Sequence, residues 1–385
     1  MTSQPTGTAA TSRTGVWFVG ARGSVATTAV VGALGLQHDL APTTGLVTEL
    51  PDLDPAGLPD LAGLVFGGHD VGHDTLAKKA ETLVAGDVLP SMLVRALRDE
   101  LDAVDADVRA GWSAGEEPVA TAVERLAGDI RAFAERHDLE RVVVVDVAST
   151  QAPVEDPETL TEVDDRLPMG AVYALAAFRA GAPYVTFTPS PCLRLPVVAA
   201  AARAAGLPYA GCDGKTGETL LKSALAPMFA MRNLQLRSWA SINLLGGGDG
   251  ATLADPEAAR SKIDTKRSGL DAMAGYEVPG PMHIDQVEDL GDWKTAWDHV
   301  RFDGFLGTRM TLQLTWQGCD SALAAPLVLD LVRLVAAAHA AGRSGALGEL
   351  GFFFKDPVTE AGVAAEHRLA DQWRELVEWR AGLDS

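Results

Sequence analysis

The sequence predicts an α/β fold: a parallel sheet wound with helices, interrupted late in the chain by an α+β region rich in strands. Three observations carry this. Gly15 to Gly20 reads as a short buried strand, Ala21 to Ser24 as a turn, and Val25 to Leu36 as a helix of small apolar residues. Arg141 to Val147 (RVVVVDV) and Ala182 to Thr188 (APYVTFT) are β-branched runs of the kind buried on both faces of a parallel sheet. From about Leu220 the texture changes, with mixed-face strand patterns at Leu234 to Leu245 and His299 to Thr315.

Strand, glycine turn and helix together open a Rossmann-like dinucleotide-binding unit, in which turn amides at the positive end of the helix hold a pyrophosphate. The fingerprint is imperfect. Counting GxGxxG from Gly20 requires glycines where the chain has Arg22 and Val25. Leu64 to Asp70 reads as another strand ending in a glycine turn. Helical pattern follows from Met92 to Arg136, interrupted near Gly111 to Pro118. The RVVVVDV strand ends in Ala148, Ser149 and Thr150, and APYVTFT ends in Pro189, Ser190 and Pro191. Small polar residues there lie where doubly wound sheets bind ligands. Ala224 to Arg232 and Ala322 to Ala341 read as helices, the latter returning the chain to the first sheet.

Composition narrows the function. A formal net charge of -20 repels phosphate backbones and anionic membranes, so neither nucleic acid nor membrane is an expected partner. An anionic small molecule would need a local cationic pocket. Three cysteines without CxxC spacing argue against a disulfide framework and fit a reducing cytoplasm. Met1 to Thr14 lacks an apolar h-region and reads as a disordered tail. Only eight of the 32 cationic residues are lysines, yet six of the eight fall between Lys215 and Lys355. Arginine stays charged, whereas a lysine amine can be tuned to exchange protons. His69, Asp70, His73 and Asp74 have a spacing that could hold a metal, but with no third clear ligand they read as solvated loop residues.

Six segments follow in order: GCDGKTGET at 211–219, NLLGGGDG at 243–250, RSKIDTK at 260–266, GDWK at 291–294, CDSALAAP at 319–326 and FFFKDP at 352–357. Together they resemble the myo-inositol-1-phosphate synthase family, most closely its archaeal-type branch, from Val16 to about Pro357. The resemblance implies a Rossmann-like NAD-binding domain (15–219 and 320–385) and an inserted α+β catalytic and tetramerisation domain (220–319), in a homotetramer. It implies conversion of glucose 6-phosphate to inositol 3-phosphate by oxidation at carbon 5, enolisation at carbon 6, aldol closure and re-reduction, with NAD recycled.

The resemblance also implies site residues. Lys262, Lys266, Lys294 and Lys355 match the family's active-site lysines, and Asp213, Asp249 and Asp320 its active-site acids. Nucleotide contacts fall on Gly20, Arg22, Gly23, Ser24, Val25, Asp70, Ala148, Ser149, Thr150, Ser190, Asp292 and Ser321, with Asp213, Asp249 and Asp320 shared between the two sets. Lys262 would relay the carbon 5 proton, Lys294 and Lys355 would stabilise the enolate and alkoxide, and Lys266 would hold phosphate. Lys215 and Lys222 read as phosphate-binding or structural, and Asp320 also as the cap of the following helix. A divalent or monovalent cation is left open.

The chain departs from the family at Arg22 and Ala26, where glycine is frequent, and at Gly247 and Gly248, where asparagines are frequent. Fructose 6-phosphate, closing to a five-membered ring, is therefore an alternative substrate. A sugar-phosphate dehydrogenase and a non-catalytic NAD-binding regulator are alternatives of other classes.

Overall fold

The computed structural model describes residues 13–151, 154, 156–246 and 269–383. Seven parallel strands form the first sheet. They are β1 (Thr14–Val19), β2 (Leu64–Asp70), β3 (Val108–Ala110), β4 (Arg141–Asp146), β5 (Tyr184–Thr186), β6 (Pro208–Ala210) and β11 (Gly345–Ala346), in the spatial order β3-β2-β1-β4-β5-β6-β11. β1 is buried from end to end because it pairs with β2 on one side and β4 on the other. The strand order reverses there, so a crevice opens at the carboxyl ends of β1 and β4, the usual ligand position in such sheets. β1 starts at Thr14, inside the stretch read as a tail; residues 1–12 lie outside the described residues.

Helices cover both faces. On one side lie α1 (Ser24–Gln37), α2 (Leu76–Ala85), α3 (Ser91–Ala96), α4 (Arg98–Asp105) and, from the end of the chain, α9 (Asp320–Ala340) and α10 (Leu369–Leu383). On the other lie α5 (Val119–His137), α6 (Met169–Ala180) and α7 (Pro196–Ala205). The pattern read as one interrupted helical stretch from Met92 to Arg136 resolves into α3, α4, β3 and α5, with the short edge strand β3 inserted ahead of the interruption. α9 is long and apolar enough to cross a membrane by length and composition, but most of it is buried against α1 and the sheet.

The second sheet has four strands in the order β10-β9-β7-β8: β7 (Gln235–Leu245), β8 (Met282–Gln286), β9 (Trp293–Asp303) and β10 (Arg309–Cys319). β7, β9 and β10 are antiparallel, while β8 runs parallel to β7. The alternation seen at His299 to Thr315 thus belongs to a hairpin, β9 and β10, that extends beyond the expected bounds. One face packs on α8 (Glu218–Met231) and on residues 269–274 through Phe229, Trp239, Leu270, Met273 and Val300.

α9 also fastens the loop before β2. Buried Asp330 accepts from the Val47 amide at 2.9 Å, the Thr48 amide at 3.0 Å and the Thr48 hydroxyl at 2.5 Å, while Arg333 donates to Thr48 and Glu49. Replacing Asp330 by Ala strands these donors in a dry core. Urea denaturation of Asp330→Ala is expected to show a loss of about 2–4 kcal/mol.

Candidate active site

The turn after β1 has the backbone that a bound phosphate group needs. Gly20 is left-handed at φ +82°, and a Cβ placed on it would lie 3.0 Å from the Ala148 Cα beyond β4. A glycine is required for this close approach of β1 and β4 ends. Gly23 precedes α1 with no side chain capping the helix, so the first-turn amides stay open toward the crevice. Asp70, at the end of β2, accepts the Arg22 amide at 2.7 Å and the Gly72 amide at 2.6 Å, which fixes the turn. The Arg22 guanidinium turns away onto Asp105, at 2.8 Å and 3.0 Å. In this conformation it is a latch between the turn and α4.

His69 corrects the reading of a solvated loop pair. It is fully buried in β2, its Nδ1 accepts from the Trp17 indole at 2.9 Å, and its Nε2 donates to Asp129 at 3.1 Å. Both ring nitrogens are used, which excludes it as a metal ligand in this arrangement. His73 and Asp74 are exposed. Among the described residues, no three His, Cys, Asp or Glu side chains form a metal-ligand cluster.

The chemical end is assembled by an irregular two-stranded ladder. Cys212 donates its amide to the Asp356 carbonyl at 2.9 Å, Lys215 to Phe353 at 2.8 Å, and Lys355 to Asp213 at 2.7 Å. This pairing brings residues 213 and 355 side by side, and the Lys355 ammonium meets the Asp213 carboxylate at 2.8 Å. Asp213 takes φ +61°, a conformation Asp tolerates better than most side chains. From the other side of the cleft, Lys294 at the start of β9 donates to Asp320 at the start of α9, whose second oxygen accepts the Thr216 hydroxyl at 2.7 Å. Burial opposes ionisation of Asp320. The ammonium groups of Lys294 and Lys355, with hydrogen bonds from Lys294 and Thr216, outweigh it and hold the carboxyl well below the usual carboxylate range. Asp320 is the first residue of α9, not its cap, and gains from the helix dipole there.

Asp292 joins the two ends. Its oxygens accept Ser24 at 3.2 Å and Ser321 at 3.0 Å, so one carboxylate spans the N-termini of α1 and α9. Two clefts run over this floor. One of about 1220 Å³ holds Gly20, Arg22 and Asp70. The other, about 1000 Å³, holds Ser24, Val25, Thr150, Asp213, Asp292, Ser321 and the Lys294–Asp320 and Lys355 groups. They share Gly23, Val147, Ala148 and Ser149, so they are continuous across the N-terminus of α1.

The chain matches the model of the family described as myo-inositol-1-phosphate synthase over residues 14–380. It belongs to this family. An inositol-3-phosphate synthase 1 from Bacteroides thetaiotaomicron is 33% identical over 409 residues, which cover 95% of this chain and 94% of that one. Among solved structures, an inositol-3-phosphate synthase from Caenorhabditis elegans superposes with a TM-score of 0.82 at 22% identity, covering 97% of this chain and 86% of that one. A myo-inositol-1-phosphate synthase-related protein from Thermotoga maritima does so with a TM-score of 0.77 at 22% identity, covering 96% and 98%. These two likenesses establish the fold.

The family is one of NAD-binding, isomerase-type enzymes. The double cleft fits NAD: an elongated crevice, a glycine turn and an uncapped helix start at its middle. Of the described residues expected at the site, all line the two clefts except Ser190. It is 1% exposed, with its hydroxyl aimed at Gly170. Asp249, Lys262 and Lys266 lie outside the described residues, as do Gly247 and Gly248.

Sequence reasoning had no role for Thr216 as a ligand of Asp320, and no sign of Gln372, which receives the Lys215 ammonium. The hydroxyl beside the conspicuous Lys215 in GCDGKTGET was the available signal for the first. Lys222 is structural: buried, 2.5 Å from Glu218 and 5.8 Å from the Trp239 ring centre.

In Gly20→Ala the new methyl meets Ala148 and a strained φ together. NAD affinity, read by calorimetry, is expected to fall by about 1–2 kcal/mol, or roughly tenfold, with the fold retained.

Proposed function

We propose that this protein cyclises glucose 6-phosphate to 1D-myo-inositol 3-phosphate. The observation that carries the reading is the convergence of Lys294 and Lys355 on Asp320 at the mouth of the nucleotide cleft. The sequence relation to the Bacteroides thetaiotaomicron inositol-3-phosphate synthase 1 supports the substrate class.

Bound NAD supplies reversible hydride acceptance at carbon 5 of the sugar. The chain's residues supply the rest. Oxidation at carbon 5 requires removal of its hydroxyl proton, and the ketone then acidifies carbon 6. The developing enolate and, after ring closure, the alkoxide at the former aldehyde are oxyanions. Lys294 and Lys355 answer these charges, each held by a carboxylate that keeps its ammonium in place. Asp320, kept ionised, also supports an ammonium form of Lys294 between proton transfers.

The phosphate belongs at the start of α8. This 14-residue helix has Gly217 before it, and among the described residues it has no side-chain cap and the buried Thr219 hydroxyl has no hydrogen-bond partner. Thr216, Gly217, Thr219, Lys294 and Lys355 border a single recess, so open amides, hydroxyls and ammonium groups face one anion. Lys262 as the carbon 5 proton relay and Lys266 as a second phosphate ligand complete the proposal.

A homotetramer joined through the second sheet is also proposed. It is supported by partly exposed Ile242 and Trp297, paired in register across β7 and β9, and by Phe305 and Leu306, each 87% exposed at the β9–β10 turn. Sedimentation equilibrium giving the mass of four chains is the expected result; a monomer rejects it.

The purified protein with catalytic NAD and glucose 6-phosphate should yield a six-membered cyclitol phosphate by phosphorus and carbon NMR, with no NADH accumulating. A five-membered product from fructose 6-phosphate instead would replace the substrate. Stoichiometric NADH would make the protein a dehydrogenase. Lys294→Ala and Lys355→Ala should each lower turnover by about 10²–10⁴-fold while NAD still binds.

A further inference from the structure

We propose that Lys215 is a positioning residue of the cyclase, acting through Gln372 to hold in register the two segments that carry Asp213 and Lys355. The proposal rests on the cyclase reading above and adds the C-terminal helix α10 to the working parts of the site.

Three observations support it. First, Asp213 and Thr216 line the nucleotide and sugar cleft, whereas Lys215 does not; it lines an adjoining cavity against α8, whose walls also include Asp213, Lys355 and His367. Second, Lys215 is 4% exposed and its amine donates to the Gln372 side-chain oxygen. Among the described residues no carboxylate compensates it, and burial pushes the amine down to about 7. An apolar side chain of similar length would fill this space without that desolvation cost, so the retained amine points to a role in placement. Third, Gln372 is itself committed. Its amide nitrogen donates to the Gly351 carbonyl at 3.0 Å and the Glu366 carbonyl at 2.6 Å, which leaves its oxygen for Lys215. Gly351 lies just ahead of the segment that carries Lys355. One glutamine therefore grips both sides of the ladder, one through Gly351 and the other through Lys215.

The charged and titratable groups around this amine are Asp213 with Lys355 on the ladder, Glu218 with Lys222 on α8, and His367 and Glu366 ahead of α10. Two of the carboxylates have lysine partners of their own. His367 is shifted down, first by burial and then by the charge of Lys215.

The test uses Lys215→Met, Gln372→Met, the double variant and Lys215→Arg in the full-length protein. Each single Met variant should lower kcat by about tenfold or more with little change in KM or in NAD affinity, because misplacement by a fraction of an ångström suffices. The double variant should be no worse than either single, since both remove one link. Lys215→Arg should not rescue, because the cavity admits one amine against one oxygen. Amide hydrogen exchange should quicken at Lys215 and Lys355 in the Met variants.

The folded amine lies below its unfolded value. The unfolded chain therefore binds the extra proton between about pH 7 and the ordinary lysine range, and wild-type stability should rise across that interval. Lys215→Met should lack this rise. Wild-type kcat in the single Met variants, or additive losses in the double, overturns the positioning role. Failure of the unsubstituted enzyme to form any cyclitol phosphate overturns the underlying reading instead. In that event unchanged exchange at Lys215 and Lys355 still rejects the link.

Discussion

The site depends on one stretch of non-repetitive backbone pairing, residues 211–216 against 353–358. No helix or regular strand of the sheet contributes Asp213 or Lys355 directly. Their alignment comes from five amide hydrogen bonds between segments some 140 residues apart in sequence, with Gly214 bridged to Phe354 between them. The approach is close enough that a Cβ on Gly214 would collide with the Phe187 ring. The last segment of the chain, which returns to the first sheet, thus also borders the cleft through Lys355.

The second constraint is electrostatic. For a protein of net charge -20 to bind the sugar phosphate proposed above, cationic groups must gather at one crevice, as Lys294 and Lys355 do. Left alone in a recess, such cations would lose their protons or repel one another. Here Lys355 has Asp213 and Lys294 has Asp320. Each carboxylate holds its lysine in place at the crevice. Lys215 is the exception, since it faces an amide oxygen rather than an acid. On the proposed reading, that difference separates a group that answers substrate charge from one that sets backbone position.

Legibility followed the range of the interaction. β1, α1, β2, β4 and α9 were readable because each carries a local apolar pattern that its burial repeats. β6 and β11, with three and two residues, are too short to show a period. α10 alternates acidic, basic and aromatic residues, and only its packing on the core makes it a stable helix. The site motifs were visible as motifs, but which lysine meets which aspartate was not. Lys294 and Asp320 are 26 residues apart, and Lys215 and Gln372 are 157 apart. Such pairings are products of the fold. Ser190, a small polar residue at a strand end like Ser149, shows the converse. The same local signal places one hydroxyl at the cleft and buries the other under it.

This bears on what decides the sugar. On the proposed reading, oxidation at carbon 5 and enolisation at carbon 6 need the nucleotide floor together with Lys355 from the end of the chain and Lys294 from the start of β9. Ring size depends on which carbon the carbon 6 nucleophile can reach, and so on the walls that hold the far end of the chain. Those walls come from the second sheet: Asn243 on β7, Ile284 on β8, Thr295 on β9 and Trp316 on β10 border the phosphate recess. Trp316 stands within contact of both Gly217 and Gly318, so its ring limits the space beside the α8 N-terminus. The division of labour is therefore physical. On the proposed reading, the parallel sheet supplies the nucleotide floor, while the antiparallel strands supply both Lys294 and the walls of the volume in which a ring would close.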